Sequence, residues 1–306
     1  MKPATPDPTP NGQDGVIRDA GLAGRERQAS PDAGAVCWAI AAAGHGAPGA
    51  TTVGVAVAAA VAGLLVEADI DGGVLGARYG CWLHDEAPSL ASLVASLRPG
   101  VTAAAVNDHV QLLPSGVRAV LLPPSAEDAA GAVEHLAFNL DLLRAALPGG
   151  RLVLDLGRLH AAGTALDLAS AADAVVVVAR PTVEELAGLL ARMPHLAARF
   201  ERLAVAIRGD GPYRQAEIRA EAAARAGRAV PVVTIPEDPR TVRGLAVPPE
   251  GRRAHRLERS PLMRAVRELC NAFRVQETAE AGEATTAESA GRPAPGQPAG
   301  VGGVRP

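Results

Sequence analysis

From residue 34 to residue 275, short apolar runs alternate with longer stretches whose apolar residues recur at helical spacing. The runs Val36–Ala42, Leu64–Glu67, Val117–Leu122, Leu152–Asp155, Ala174–Ala179, Leu203–Ile207 and Val230–Ile235 read as strands. Most are bounded by glycine, proline or charge, and several are valine-rich, as strands buried on both faces tend to be. Between them, Thr51–Ala62, Ala126–Ala146, Val183–Arg199, Tyr213–Ala226 and Pro261–Arg274 read as helices. Ser125 and Thr182 precede acidic first turns, an N-cap arrangement that suits the positive end of a helix. Such alternation predicts an α/β fold, a mainly parallel sheet of about seven strands with helices on both faces. Residues 81–116 are less regular, with a helix over Pro88–Leu97 and an additional edge strand around Val110–Leu113.

The pattern stops at both ends. Residues 1–33 and 276–306 are rich in Pro, Gly and charge without apolar periodicity, which predicts disorder on either side of a 34–275 domain. The N-terminus has no apolar stretch of the signal-peptide kind. The longest apolar run, Val53–Val66, is shorter than the roughly 20 residues a bilayer requires. Three scattered cysteines form no C-x-x-C pair, and the seven histidines show no metal-ligand spacing. These features predict a cytoplasmic protein without a disulfide framework or zinc site. A net charge of −3 and only 2% aromatic residues argue against a nucleic-acid surface.

Candidate chemistry begins at Gly44-His45-Gly46-Ala47-Pro48-Gly49-Ala50-Thr51-Thr52. This is a phosphate-binding loop, Gly-x-x-x-x-Gly-Lys-Ser/Thr between strand and helix, with Ala50 in the lysine position. Its glycines let backbone N–H groups approach an anion at the helix N-terminus. Two further segments should converge on it, because parallel α/β sheets gather ligands at the carboxyl ends of their strands. One runs from Leu64 through Glu67 and Asp69 to Gly73; the other is Leu152-Val153-Leu154-Asp155-Leu156-Gly157. Asp155 and Thr51 have the chemistry to hold Mg²⁺, and Asp69 could orient an attacking water.

In these stretches the chain resembles the ParA/MinD-like group of deviant-Walker P-loop ATPases. That family's loop, Lys-Gly-Gly-x-Gly-Lys-Thr-Thr, resembles 45–52, and its Val-Asp-x-Asp resembles Val66-Glu67-Ala68-Asp69. Its Asp-x-Pro-x-Gly switch falls on Asp155-Leu156-Gly157, and its later strand and Arg-Pro on 174–181. Its base-side loop looks like 232–238, which places Asp238 beside the nucleotide. The resemblance covers about residues 35–274 and implies a three-layer P-loop NTPase-like fold with ATP and Mg²⁺ as cofactors.

The departures bear on activity. His45 stands where the signature lysine reaches across a dimer, and Ala50 where the phosphate lysine belongs. The helix after the loop is short for the family, and Arg208-Gly209-Asp210-Gly211 replaces the adenine-reading Asn. Losing one charge-assisted phosphate contact forfeits roughly 1.5–3 kcal/mol of binding, and a contact made in the transition state is worth more. The resemblance therefore implies a nucleotide switch or scaffold with a degenerate ATP site. It would act as a homodimer with a protein partner in partitioning, cell positioning or surface-appendage assembly. The alternative is an active ATPase of this type. A more distant alternative is a DNA-binding partition factor using Arg252-Arg253-Ala254-His255-Arg256. The last helix is amphipathic through Leu262, Val266, Leu269 and Phe273, which leaves open either packing on the sheet or peripheral membrane contact through 261–274.

Overall fold

The computed structural model describes residues 35–44, 49–81, 87–247 and 252–273. His45, Gly46, Ala47, Pro48 and both terminal segments expected to be disordered lie outside the described residues, as do the side chains of Arg252 and Arg253.

Eight strands form one sheet: β1 (Val36–Ala42), β2 (Leu64–Glu67), β3 (Gln111–Leu112), β4 (Arg118–Val120), β5 (Arg151–Arg158), β6 (Ala174–Ala179), β7 (Leu203–Arg208) and β8 (Val232–Ile235). Their order is β3-β4-β2-β5-β1-β6-β7-β8. All neighbours pair in parallel except the short edge strand β3, which runs antiparallel to β4. The eighth strand is thus the edge strand anticipated near Val110–Leu113.

The helices are α1 (Ala50–Val61), α2 (Leu75–Tyr79), α3 (Leu90–Ser96), α4 (Ala103–Asn107), α5 (Ala126–Ala145), α6 (Thr164–Ala171), α7 (Val183–Arg199), α8 (Gln215–Ala226), α9 (Pro239–Gly244), α10 (Arg252–Glu258) and α11 (residues 261–273). The short α2, α4, α6, α9 and α10 carry too few turns for a periodic signal. One face of the sheet packs on α3, α5, α6, α7 and α8 around Leu136, Leu143, Leu189 and Met193. The other packs on α1 and α11 around Ile40, Val53, Val57 and Phe273. Helix α1 is apolar nearly all round because the sheet and its neighbours cover most of it.

The amphipathic stripe at the C-terminal end proves to be core. Leu262, Val266, Leu269 and Phe273 are almost wholly buried, and Phe273 meets Trp38 edge-on at 5.0 Å between ring centroids. Of the two alternatives left open by the sequence, packing on the sheet is the one these buried residues take, so the stripe is not available for the membrane contact considered for 261–274. Among the described residues no helix is long and apolar enough to cross a membrane.

At the amino end of the sheet, Arg144 of α5 joins three elements. It donates to the carbonyls of Ala35 (3.1 Å) and Ala171 (3.0 Å) and to both oxygens of Asp173 (2.8 Å each). Asp173 in turn accepts from the Cys37 N–H at 2.7 Å, fixing the start of β1. Arg144→Ala should cost about 1–3 kcal/mol, since it leaves a partly covered carboxylate without its charged donor. Urea denaturation would register it as a lower midpoint with an unchanged slope.

Candidate functional site

Strands β2, β5 and β1 are adjacent, so the segments that follow Ala42, Glu67 and Asp155 open at one end of the sheet. The β1–α1 connection ends at Gly49, which N-caps α1 with a φ of 88° that a side chain rarely tolerates. Ala50 is the first helical residue and is almost fully covered, while Thr51 and Thr52 are partly exposed.

Asp155 sits beneath this helix terminus, opposite Ile40 of β1 and Glu67 of β2 in the strand register. Its carboxyl is buried and is hydrogen-bonded to the Thr51 side chain. Burial pushes its pKa up to about 7; the Thr51 hydrogen bond opposes the rise, and the charges of Glu67 and Asp69 add to it. Thr51 and Asp155 are thus brought together as the sequence pattern required.

Glu67, which reads as a mild replacement for an aspartate, has a structural task. Its Oε1 accepts from the N–H groups of Val74 (2.6 Å) and Leu75 (2.9 Å), and its Oε2 from that of Leu122 (3.1 Å). The longer side chain reaches three donors on two segments and ties the start of α2 to the end of β4. Burial still holds its pKa above the ordinary carboxylate range. Gly73 makes this approach possible, because a Cβ there would overlap the Leu122 carbonyl.

Asp69 is partly exposed and accepts from the Asp71 N–H at 3.0 Å. Burial raises its pKa; the hydrogen bond from the Asp71 N–H opposes the rise, the Asp71 charge adds to it, and Arg158 and His160 oppose it. Its carboxylate occupies the space that a Cβ on Gly157 would need, and Gly157 has a φ of 59°. The β2–α2 loop and the end of β5 are therefore interlocked. Gly44 closes β1, where its missing side chain would touch Glu185 of α7.

Asp238 lies further along the sheet and accepts several hydrogen bonds. Burial pushes its pKa up, but hydrogen bonds from the hydroxyl and N–H of Thr241 and from the N–H groups of Leu262 and Arg240 hold it below the usual carboxylate value. It caps α9 and anchors α11. It follows β8, separated from β1 by β6 and β7.

Two arginines near the loop escaped the sequence patterns. Arg192 of α7 donates to the carbonyls of Ala43 (2.8 Å), Leu159 (2.7 Å) and His160 (3.3 Å), joining the ends of β1 and β5. Nothing marks it in the sequence, where it is one of many surface-type residues in a helix. Arg208, closing β7, lies against Gly49; the family resemblance sets it where the adenine-reading Asn belongs, and nothing in the sequence marks its approach to Gly49.

Among the described residues no group of three or more His, Cys, Asp or Glu side chains could enclose a metal ion. Thr51 and Asp155 supply two oxygens, which fits Mg²⁺ completed by phosphate oxygens and water.

The raised pKa of Asp155 has a consequence for stability. The folded chain keeps this proton up to about pH 7, whereas the unfolded chain releases it near the ordinary value of 3.8. The unfolded state binds fewer protons in that window, so stability falls as pH rises from about 4 to about 7 and levels off above. Asp155→Asn should remove this slope and raise stability by about 2–4 kcal/mol at pH 8 without Mg²⁺. Thermal melts of both proteins across the window test it; parallel curves would refute it.

No protein-family profile and no curated protein sequence matches the chain. Solved structures do. A ParA family ATPase from Chlorobium tepidum matches with a TM-score of 0.59 at 16% identity, over 76% of this chain and 96% of that one. The cell division ATPase MinD of Pyrococcus furiosus matches with 0.53 at 18%, over 76% and 99%. MinD of Pyrococcus horikoshii, complexed with Mg-ADP, matches with 0.53 at 18%, over 76% and 93%. At such identities the likeness speaks for the fold: this chain has the ParA/MinD-like P-loop ATPase fold.

Proposed function

We propose that this chain is a ParA/MinD-like nucleotide switch or scaffold with a degenerate ATP site. It acts as a dimer with a protein partner in the cytoplasm, in partitioning, cell positioning or surface-appendage assembly. The observation that carries the reading is the hydrogen bond between Thr51 and Asp155 under the N-terminus of α1. The oxygens suited to Mg²⁺ are in place, while Ala50 stands at the phosphate lysine's position.

The backbone N–H groups at the start of α1, with Thr52, would bind the phosphates through hydrogen bonds and the helix dipole. Thr51 and Asp155 would hold Mg²⁺, which when bound offsets phosphate charge. Asp69, already partly desolvated, would orient a water. Structures of the same fold support nucleotide binding and a protein partner in general terms: MinD with Mg-ADP, a Cyanothece McdA variant with ATP, and a MinC:MinD complex from Aquifex aeolicus.

Binding and turnover separate on this reading. Helix N–H groups favour any bound phosphate, but developing charge needs a positioned cation to lower the barrier. Neither Ala50 nor His45 supplies a lysine. Two measurements follow. Isothermal titration with Mg·ATP should give weak binding that Ala50→Lys strengthens about tenfold or more, since 1.4 kcal/mol is tenfold; no gain would mean that the covered position 50 cannot open toward a ligand. Steady-state phosphate release should stay near background. Robust turnover that vanishes in Asp69→Ala would refute the scaffold reading and establish an active ATPase.

A further inference from the structure

The last three helices are basic on their outer surface, although the chain as a whole has a net charge of −3. Over α9, α10 and α11 the exposed charged side chains among the described residues are Arg240, Arg243, Arg256, Arg259, Arg264 and Arg267, against Glu258 and Glu268. These helices form one cluster. Asp238, the cap of α9, accepts from the Leu262 N–H at the start of α11. A Cβ on Gly244 of α9 would lie 3.6 Å from Leu257 Cδ1 of α10. Arg267 of α11 donates to the Glu258 carbonyl at the end of α10. With the apolar stripe of α11 turned into the core, its outer face is left to Arg264, Arg267, Glu268 and Asn271. The arginines outnumber the carboxylates, so this surface attracts an anionic partner.

The chain itself continues with one. Residues 276–291 contain Glu277, Glu280, Glu283 and Glu288 and neither Lys nor Arg. Helix α11 runs back along the sheet, from the Asp238 contact beyond the carboxyl end of β8 to Phe273. The Phe273 carbonyl accepts from Arg202 Nη2 at 3.1 Å, just before β7 begins. The segment that follows therefore leaves at the amino end of the sheet, beside the last turn of α11. Arg264 lies about 14 Å of helix back from Phe273. An extended chain covers about 3.3 Å per residue, so Glu280 and Glu283 have the length to turn and reach Arg267 and Arg264. Attachment to α11 also holds these carboxylates near the face at an effective concentration that a separate partner has to exceed.

We propose that the acidic segment 276–291 docks on the arginine face of α10 and α11, with Glu280 and Glu283 meeting Arg264 and Arg267. Each exposed pair is weak and salt screens their sum, so the cover is displaceable. An external polyanion reaches the face only by displacing it. This assignment stands apart from the nucleotide reading above.

The test combines amide NMR with heparin titration at low salt. The proteins are the full chain, the tail variant Glu277→Gln/Glu280→Gln/Glu283→Gln, the same variant with Arg264→Gln/Arg267→Gln added, and a control, Glu127→Gln/Glu134→Gln/Asp141→Asn. The control removes as many negative charges from exposed positions of α5, on the other face of the sheet. The tail variant should shift amides of α10 and α11, and about 0.5 M NaCl should bring its spectrum and that of the full chain together there. It should bind heparin about tenfold more tightly than the full chain, the control should not, and the added arginine substitutions should cancel the gain. Unchanged α10 and α11 amides overturn the proposal, and so does an equal gain in the α5 control, which would be an effect of net charge alone. Binding of heparin, duplex DNA or phosphatidylglycerol vesicles by the full chain as tightly as by the tail variant also overturns it, because the face would then be open to an outside polyanion. The tail variant leaves every described residue unchanged, so its spectrum reads docking whatever the arginine substitutions do to the fold.

Discussion

A carboxyl group buried at the end of a central strand has to be satisfied locally, and the organisation of this site follows from that requirement at Asp155. The group lies on β5, between β2 and β1, where water does not reach it. Its side-chain partner is the hydroxyl of Thr51, so the first turn of α1 is held over β5. With its pKa pushed up to about 7 by burial, the Asp155 carboxyl is only partly ionised at neutral pH.

Around this pair the neighbouring carboxylates divide their work by reach. Glu67, one methylene longer than aspartate, is committed to three backbone N–H groups and stabilises the loop's path. Asp69 remains partly exposed and is placed by contact with Gly157. Similar residue types, two positions apart, thus take a structural role and a candidate chemical role.

The central architecture was legible because buried parallel strands produce dense valine-rich runs. Val36–Ala42, Leu64–Glu67 and Ala174–Ala179 have the bounds expected from their composition. The meeting of Thr51 with Asp155 was legible too, since strand-to-helix alternation dictates which loops converge. Other features were not. Elements such as α2 and α6 are too short for periodicity to mark them, and the α11 stripe is ambiguous because lipid and a sheet select the same residues. Arg192 bonds across a long sequence separation through its guanidinium, and Arg208 lies against Gly49, a residue far from it in the chain. Long side chains crossing between elements leave no local pattern.

The three carbonyl contacts of Arg192 carry a mechanical implication. One guanidinium grips Ala43 just before the loop and Leu159 and His160 just after β5, in a setting where desolvation has already lowered its pKa. Releasing it would expose several strong acceptors at once. Ala43 is therefore tied firmly to the residues that follow β5, and α7 acts as the bracket that keeps the ends of the two strands together.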